Sequence, residues 1–194
     1  MTADPVEVAF LVGKALERAG VDYIVSGGLA SSSHGEPRAT QDVDVAVHLR
    51  VDQLPKLLEE LPEGLELDPG SARTAIREHG AFFLLHLPSY IKVDVYVCRQ
   101  EGFHASAIRR GASAKLSSRP DRSARVASPE DIVVQKLSWY RQGNLASDRQ
   151  WRDVLGVLKA NRGALDSSYM RRWAADQGVS DLLSKALAEA GWPA

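Results

Sequence analysis

The chain has 194 residues and a formal net charge of −1. This length fits one domain with a modest helical appendage, and the charge excludes a strong preference of the whole chain for nucleic acid. The single cysteine, Cys98, excludes an intrachain disulfide and a cysteine-based zinc cluster. No apolar stretch approaches the ~20 residues of a membrane span, and the N-terminus lacks the basic segment of a signal peptide. We therefore expect a cytoplasmic protein without a membrane partner.

Helix and strand patterns alternate in the first half of the chain. Residues 5–19 have helical spacing and stop at Gly20, and residues 21–26 form an apolar run typical of a short strand. That run ends at Gly27-Gly28, and residues 29–33 suit a short helix. Valines at alternate positions of residues 42–48 predict a half-buried strand.

Two further apolar runs lie in the middle of the sequence, at residues 81–87 and 90–97. The short link Pro88-Ser89 between them predicts an antiparallel hairpin. In the second run Ile91, Val93, Val95 and Val97 share one face. Lys92, Asp94, Tyr96 and Cys98 share the other.

The last third of the chain reads as helical. Ser128 is a good N-cap with Pro129 at the first helical position, and further helices are predicted at 148–160, 167–177 and 181–190. Residues 113–126 are polar and basic, which favours a hairpin or an extended crossing. We predict an α+β fold in which residues 1–127 form a small mixed β-sheet with flanking helices. Residues 128–194 form a C-terminal helical bundle.

The first candidate functional feature is the turn Ser26-Gly27-Gly28. Successive glycines after a strand let the backbone turn sharply and bring its N–H groups close to phosphate oxygens. Paired glycines also end strands for steric reasons alone. The turn therefore indicates phosphate binding only in combination with other residues.

Asp42 and Asp44 are residues that could act in combination with this turn. Two positions apart on a strand they point to the same face, where the two carboxylates repel each other unless a cation lies between them. Mg²⁺ is usually held by one or two carboxylates together with substrate phosphates. The alternative is an edge strand with two solvent-exposed acids.

Asp94 lies in the middle of the apolar run Ile-Lys-Val-Asp-Val-Tyr-Val. If its strand neighbours that of Asp42 and Asp44, the three carboxylates share one sheet face, as two-metal phosphoryl chemistry requires. Asp94 would then face the acceptor and could take its proton. The alternative is an ordinary ion pair with Lys92 or another surface cation.

These motifs together resemble the nucleotidyltransferase superfamily typified by DNA polymerase beta. The residues that carry the resemblance are Gly27-Gly28, His34-Gly35, Arg38-x-Thr40-x-Asp42-x-Asp44 and the later Asp94. Within that superfamily the sequence is most similar to the AbiEii-type toxins and related uncharacterised bacterial proteins. The pattern spans residues 21–97. The usual turn is Gly-Ser, so Gly-Gly here removes a hydroxyl that Ser26 could replace from the other side.

The resemblance implies a nucleotidyltransferase fold, two Mg²⁺ ions on Asp42, Asp44 and Asp94, and a nucleoside triphosphate as substrate. It also implies a role for Lys136, followed by the acids Asp148 and Asp153, in contacting the nucleotide's phosphates. From spacing alone Lys136 lies on the inward stripe of its helix, where a lysine must snorkel, pair with an acid or meet an anion. Asp148 and Asp153 could be its partners or acids favoured at a helix N-terminus.

Arg38 and Thr40 precede the predicted metal-binding strand. Arg38 could clamp a phosphate through two hydrogen bonds, or pair with Asp42 or Asp44 in an empty site. Arginines and lysines recur between Arg109 and Arg125, either as a solvated loop or hairpin or as an edge that meets RNA phosphates.

The leading functional prediction is transfer of a nucleoside monophosphate to an acceptor hydroxyl. The acceptor could be RNA such as a tRNA end, a protein or a small molecule, and the resemblance adds a toxin with an antitoxin partner. A catalytically silent nucleotide- or partner-binding protein of the same fold is the alternative. A metal-dependent nuclease could use the same carboxylates, but it has no triphosphate for the glycine turn to bind.

Overall fold

The computed structural model describes residues 4–116 and 122–192. The chain divides into two compact units. The first contains described residues of 1–29 and 39–127, and the second contains residues 30–38 and those from 128 onward. A division after residue 127 alone does not describe these units, because residues 30–38 group with the C-terminal helices. The change of unit at residue 30 falls inside a helix, Gly27–His34.

The first unit is built on a mixed sheet whose described strands number seven. Its order is β3-β4-β5-β2-β1-β7-β6. The strands are β1 Asp22–Val25, β2 Val43–His48, β3 Leu65–Leu67, β4 Ala81–His86, β5 Ile91–Val97, β6 Ala112–Lys115 and β7 Ser123–Val126. β4 and β5 form the predicted antiparallel hairpin, and β6 and β7 also pair antiparallel. The mixed sheet of the α+β prediction is confirmed.

The alternating valines of β2 and β5 produce two unlike sheet faces. Val43, Val45 and Val47 on β2 and the odd-numbered valines of β5 are almost fully buried. On the opposite side of the same strands, Asp44, Lys92, Asp94 and Tyr96 keep part of their surface in solvent. Because side chains alternate along a strand, this polar row is continuous across β2 and β5.

Five α-helices of the described chain belong to or begin in the first unit. They are α1 Pro5–Arg18, α2 Gly27–His34, α3 Leu54–Glu60, α4 Pro69–Glu78 and α5 Gly102–Arg110. The Asp4 side chain caps α1 by accepting a hydrogen bond from the Glu7 N–H at 2.8 Å. α1 packs against β1, α4 against β4, and α5 against β1 and β2. These helices give the sheet its apolar core.

The second unit contains four helices downstream of residue 128. They are α6 Pro129–Gln142, α7 Asp148–Ala160, α8 Ser167–Asp176 and α9 Ser180–Glu189. The Ser128 side chain caps α6 as predicted, since its oxygen accepts from the Asp131 N–H at 3.2 Å. α6 packs against α7 and α8, and α8 packs against α9. The predicted C-terminal helical bundle is confirmed. No helix in the described part of the chain is long and apolar enough to cross a membrane.

Candidate active site

Asp44 and Asp94 lie directly opposite each other in the sheet. β2 and β5 run parallel, and the register places the Asp44 Cα beside that of Asp94. Neighbouring strands are ~4.8 Å apart, so the two carboxylates leave the same face at adjacent points. The condition set by the sequence, that the Asp94 strand neighbours the Asp44 strand, is met.

Asp42 lies one residue before β2 and is exposed, whereas Asp44 is half-buried. The Thr40 hydroxyl donates to the Asp42 carbonyl oxygen at 3.2 Å and shapes the approach to the strand. Thr40 and Asp42 line an open cavity of about 400 Å³ with Tyr90 and Lys92 of the β4–β5 hairpin. This volume is within the range of small-molecule sites.

The glycine turn packs directly against Asp44. The Ser26 N–H donates to the Asp44 carbonyl oxygen at 2.9 Å. Gly27 begins α2 with φ +59°, and a Cβ at this position would overlap the Asp44 carboxylate. Residue 27 is therefore required to be glycine for two independent reasons, its left-handed backbone and its contact with the acid. Gly28, the next residue of α2, completes the predicted turn.

Two polar residues of β5, Lys92 and Tyr96, interact with the carboxylates of Asp94 and Asp44. The Lys92 ammonium lies 2.6 Å from Asp94 Oδ1. The hydrogen bond to Asp94 is the largest effect that raises the Lys92 pKa, and the charges of Asp94, Asp42 and Asp44 add to it. Burial, then the charges of Asp44 and Asp94, and then the hydrogen bond to Asp44 raise the pKa of Tyr96 to about 12. Tyr96 was not identified from the sequence as a site residue, although its spacing from Asp94 places both on one face.

A second polar cluster lies within the second unit, around Asp153 of α7. Arg38 donates to both carboxylate oxygens of Asp153, from Nε and from an Nη, at 2.9 Å each. The Lys136 ammonium of α6 lies 2.8 Å from Asp153 Oδ2, and Ser31 donates to the same oxygen at 3.3 Å. The sequence left three alternatives for Lys136: snorkelling, pairing with an acid or meeting an anion. In this geometry Lys136 pairs with an acid. These two hydrogen bonds of the Arg38 guanidinium both go to Asp153.

Burial of Asp153 opposes its ionisation, but the hydrogen bonds from Arg38 and Lys136 outweigh burial and lower its pKa. Lys136 is only 3% exposed, and this acid stabilises its buried charge. Asp148, by contrast, is the first residue of α7, next to the Ser147 cap, where the helix dipole stabilises an acid. Arg38 and Asp153 also line a cavity of about 230 Å³ with Glu36 and Arg152.

The described residues contain no ready-made group of three or more histidine, cysteine, aspartate or glutamate side chains in metal-binding geometry. Asp44 and Asp94 nevertheless fit Mg²⁺, because adjacent, partly exposed carboxylates on a rigid sheet are the oxygen ligands that it takes alongside phosphates. The Lys92 ammonium shows that this position attracts a cation. Asp42 lies just outside β2 and is exposed, so the register pairs only Asp44 with Asp94.

Comparison with solved structures identifies the architecture. An antigenic nucleotidyltransferase-like protein from Paracoccidioides brasiliensis superposes with a TM-score of 0.53 at 18% identity, covering 98% of this chain and 94% of that one. The antibiotic-resistance factor ANT(2'')-Ia gives a TM-score of 0.57 at 16% identity, covering 97% and 100%. The chain has the nucleotidyltransferase fold. No protein-family model matches the sequence, and no curated protein matches it.

A crystal structure of ANT(2'')-Ia in complex with adenylyl-2''-tobramycin also matches, with a TM-score of 0.57 at 13% identity, over 89% of this chain and 96% of that one. Identities this low establish the shared fold alone. They confirm the nucleotidyltransferase fold expected from the motifs of residues 21–97. The narrower resemblance to AbiEii-type toxins stays a prediction.

Proposed function

We propose that this protein is a Mg²⁺-dependent nucleotidyltransferase that moves a nucleoside monophosphate from a nucleoside triphosphate to an acceptor hydroxyl. The observation that carries the proposal is the pairing of Asp44 with Asp94 while the Gly27 turn packs on Asp44. In this proposal the glycine turn would bind phosphate, Asp44 would bind metal and Asp94 would accept the proton, and these three parts are neighbours in the first unit. Nucleotidyl transfer uses these three parts together.

The chain's own residues would act as follows. The N–H groups at the start of α2, at Gly27 and Gly28, would bind triphosphate oxygens, aided by the positive end of the helix dipole. Asp42, Asp44 and Asp94 would hold two Mg²⁺ ions. When bound, these ions supply charge neutralisation and lower the pKa of the attacking hydroxyl.

In the transfer step the acceptor oxygen forms a bond to the α-phosphorus, and the bond from that phosphorus to the bridging oxygen of the leaving group breaks. Pyrophosphate leaves with that electron pair. Asp94 lies on β5, on the side of Asp44 away from β1 and from the glycine turn that follows β1. It would accept the proton of the attacking hydroxyl, because in-line attack brings the acceptor from the side opposite the leaving group.

Ser26 and Thr40 complete the proposed nucleotide-binding set of the first unit. Arg38 and Lys136, with Asp148 and Asp153 in support, belong to the second unit, and their contact with a nucleotide stays a prediction from the sequence. For Arg38 and Lys136 a phosphate would have to compete with Asp153, which both already contact. The acceptor we propose is RNA, a protein or a small molecule. A toxin role with an antitoxin partner rests on the sequence resemblance, and the cytoplasmic location stays a prediction from the sequence.

A silent nucleotide- or partner-binding protein of the same fold is the alternative. The Lys92–Asp94 ion pair favours it, because a carboxylate already neutralised by lysine holds a metal less readily. The two functions separate on transfer itself, since a silent protein binds nucleotide and releases it unchanged.

The direct test incubates the purified protein with Mg²⁺, each labelled nucleoside triphosphate, and total RNA or cellular protein. We expect label transfer with one or more nucleotides, and a loss of at least ~100-fold in the Asp42→Asn/Asp44→Asn double variant, the scale of removing direct transition-state stabilisation. Glu66→Gln, which removes an exposed acid on β3, is the matched control and should keep full activity. Equal labelling by the double variant and by the control would contradict the proposal.

A further inference from the structure

The acid cluster of Asp42, Asp44 and Asp94 contains a positive charge of its own. Lys92 lies two residues before Asp94 on β5, and its ammonium is 2.6 Å from Asp94 Oδ1. All three acids and Lys92 belong to the first unit, and Lys92 shares the 400 Å³ cavity with Asp42. The lysine therefore lies at the position that a metal ion on Asp94 would need.

Phe83 gives a second, independent indication that the ammonium has a defined place. Phe83 is the β4 partner of Asp94 in the sheet register and is 56% exposed, an unusual state for a large apolar side chain. The Lys92 Nζ lies 5.7 Å from the centre of its ring, within cation–π range. A carboxylate on one side and an aromatic face on the other thus hold the ammonium over the open face of the sheet.

We propose that Lys92 is a resident counter-ion of the acid cluster, which a divalent cation displaces from Asp94 when it binds together with a phosphate chain. This inference rests on the proposed Mg²⁺-dependent function. It adds a role for a residue outside the metal-binding and phosphate-binding sets.

The ion pair is suited to exchange rather than to permanent structure. The Lys92 side chain is 49% exposed and that of Asp94 is 26% exposed, so solvent screens their attraction. The lysine stem is flexible and carries a compact charge, which can move to a neighbouring anion without a change in the backbone. The buried Lys136–Asp153 pair, at 3% and 6% exposure, lacks this freedom.

The ion pair affects bare Mg²⁺ and Mg²⁺ with a phosphate chain differently. Mg²⁺ alone has to displace the ammonium from Asp94 and offers it no anion in exchange. Mg²⁺ accompanied by a triphosphate gives the ammonium new oxygen partners. Lys92 therefore weakens the binding of the bare metal and couples metal binding to phosphate binding.

The experiment measures the melting temperature against Mg²⁺ concentration for the full-length wild type, Lys92→Met and Lys92→Arg. Each titration is run without and with inorganic tripolyphosphate, which carries the phosphate chain without a base. Lys56→Met is the matched control, because Lys56 makes a comparable exposed ion pair, 2.7 Å from Glu60, on α3. Asp44→Asn reports on the metal site itself.

Without tripolyphosphate we expect Lys92→Met to lower the half-saturating Mg²⁺ concentration about tenfold, the effect of removing one nearby like charge. Lys92→Arg and Lys56→Met should match the wild type. With tripolyphosphate the difference between Lys92→Met and the wild type should shrink, since the wild-type ammonium then has the phosphates to bind.

Equal half-saturation in the wild type and Lys92→Met, with Asp44→Asn impaired, would overturn the counter-ion role and leave the metal site intact. A response to Mg²⁺ that Asp44→Asn does not alter would instead contradict the proposed metal site, and the inference with it. The same holds if no protein responds to Mg²⁺ under either condition. A weaker response of Lys92→Met than of the wild type would show that Lys92 assists the bare metal, which is the opposite of the proposal.

Discussion

Gly27 connects a backbone turn to the candidate metal-binding acid Asp44. Its φ of +59° is a conformation that side-chain-bearing residues rarely adopt, and the Asp44 carboxylate fills the space of a Cβ. The sequence identified this glycine as a phosphate-binding candidate. The contact with Asp44 depends on how α2 and β2 pack, which spacing along the chain does not specify.

We expect Gly27→Ala to lower the free energy of unfolding by more than ~2 kcal/mol, because it adds a steric overlap to the backbone strain. Gly20→Ala is the matched control. Gly20 has φ +67° but nothing within 4 Å of its would-be Cβ, so its substitution isolates a backbone cost of about 1 kcal/mol. Chemical denaturation of both variants measures the difference, and equal losses would refute the overlap with Asp44.

Tyr90 is the converse case, a large residue where glycine is favoured. It has φ +56° in the β4–β5 turn and is 81% exposed. We expect Tyr90→Gly to raise the free energy of unfolding by about 0.5–1 kcal/mol, because it relieves the backbone while little packing is lost. Leu87 lies in the same turn and does not have a positive φ, so Leu87→Gly should destabilise the protein. Thermal denaturation distinguishes the two, and a loss of stability in Tyr90→Gly would count against backbone strain at this site.

At the scale of elements, the sequence was most informative where polar caps or strong alternation mark the boundaries. The predicted helix at 148–160 matches α7, and the predicted hairpin matches β4 and β5. α4 and α5 were not predicted. Their buried faces are built largely of alanines, such as Ala72 and Ala75 of α4, which give little hydrophobic periodicity.

The pairing of α6 with α7 rests partly on a buried charge cluster. Lys136 of α6 and Arg38 share Asp153 of α7. The sequence indicated that Lys136 needs an anion, but its inward position is equally compatible with a protein acid and a ligand. The choice of Asp153 follows from the packing of the two helices, which no local pattern encodes.

We expect Asp153→Asn to lower the free energy of unfolding by about 3 kcal/mol, because it leaves the buried Lys136 ammonium without its acid. Lys136→Met/Asp153→Asn should recover part of the loss, since it also removes the buried lysine charge that Asp153 stabilises in the wild type. Chemical denaturation at neutral pH of the single and double variants provides the comparison. If the double variant were no more stable than Asp153→Asn, the buried Lys136 charge would not be the cause of the lost stability.

The same cluster predicts a dependence on pH. The Asp153 pKa is lower in the folded chain than its ordinary value. Its contribution to stability is therefore complete above the unfolded-state pKa of ~3.9 and is lost as the pH falls through the folded-state value. The wild type should lose stability in this acidic window more steeply than Asp153→Asn. Denaturation at a series of acidic pH values measures the two slopes, and parallel slopes would contradict the assignment.

At the scale of the whole molecule, the order of the sheet assembles the candidate site from separate stretches of sequence. The strand sequences indicated which residues face the same way along each strand. They did not indicate that β5 inserts beside β2, which decides whether Asp94 meets Asp44. Nor did the sequence indicate that residues 30–38 group with the C-terminal helices.

Ligand binding to this assembled site should stabilise the entire native state. With Mg²⁺ present, we expect a nucleoside triphosphate at 100 times its dissociation constant to add about 2.7 kcal/mol to the free energy of unfolding. A thermal-shift comparison of the four nucleoside triphosphates would reveal any preference for a base. The shift should vanish in Asp42→Asn/Asp44→Asn and persist in Glu66→Gln. An undiminished shift in the double variant would place the nucleotide elsewhere.

The parallel pairing of β2 with β5 also bears on how the protein acquires its activity during folding. Between these strands the chain forms α3, β3, α4 and β4 before it returns to place Asp94 beside Asp44. Closing such a long loop is slow, because its entropy is lost before the contacts form. We therefore expect the two acids to meet late in folding. A nascent chain or a partly folded intermediate would lack the paired carboxylates, which confines the proposed chemistry to the completed fold.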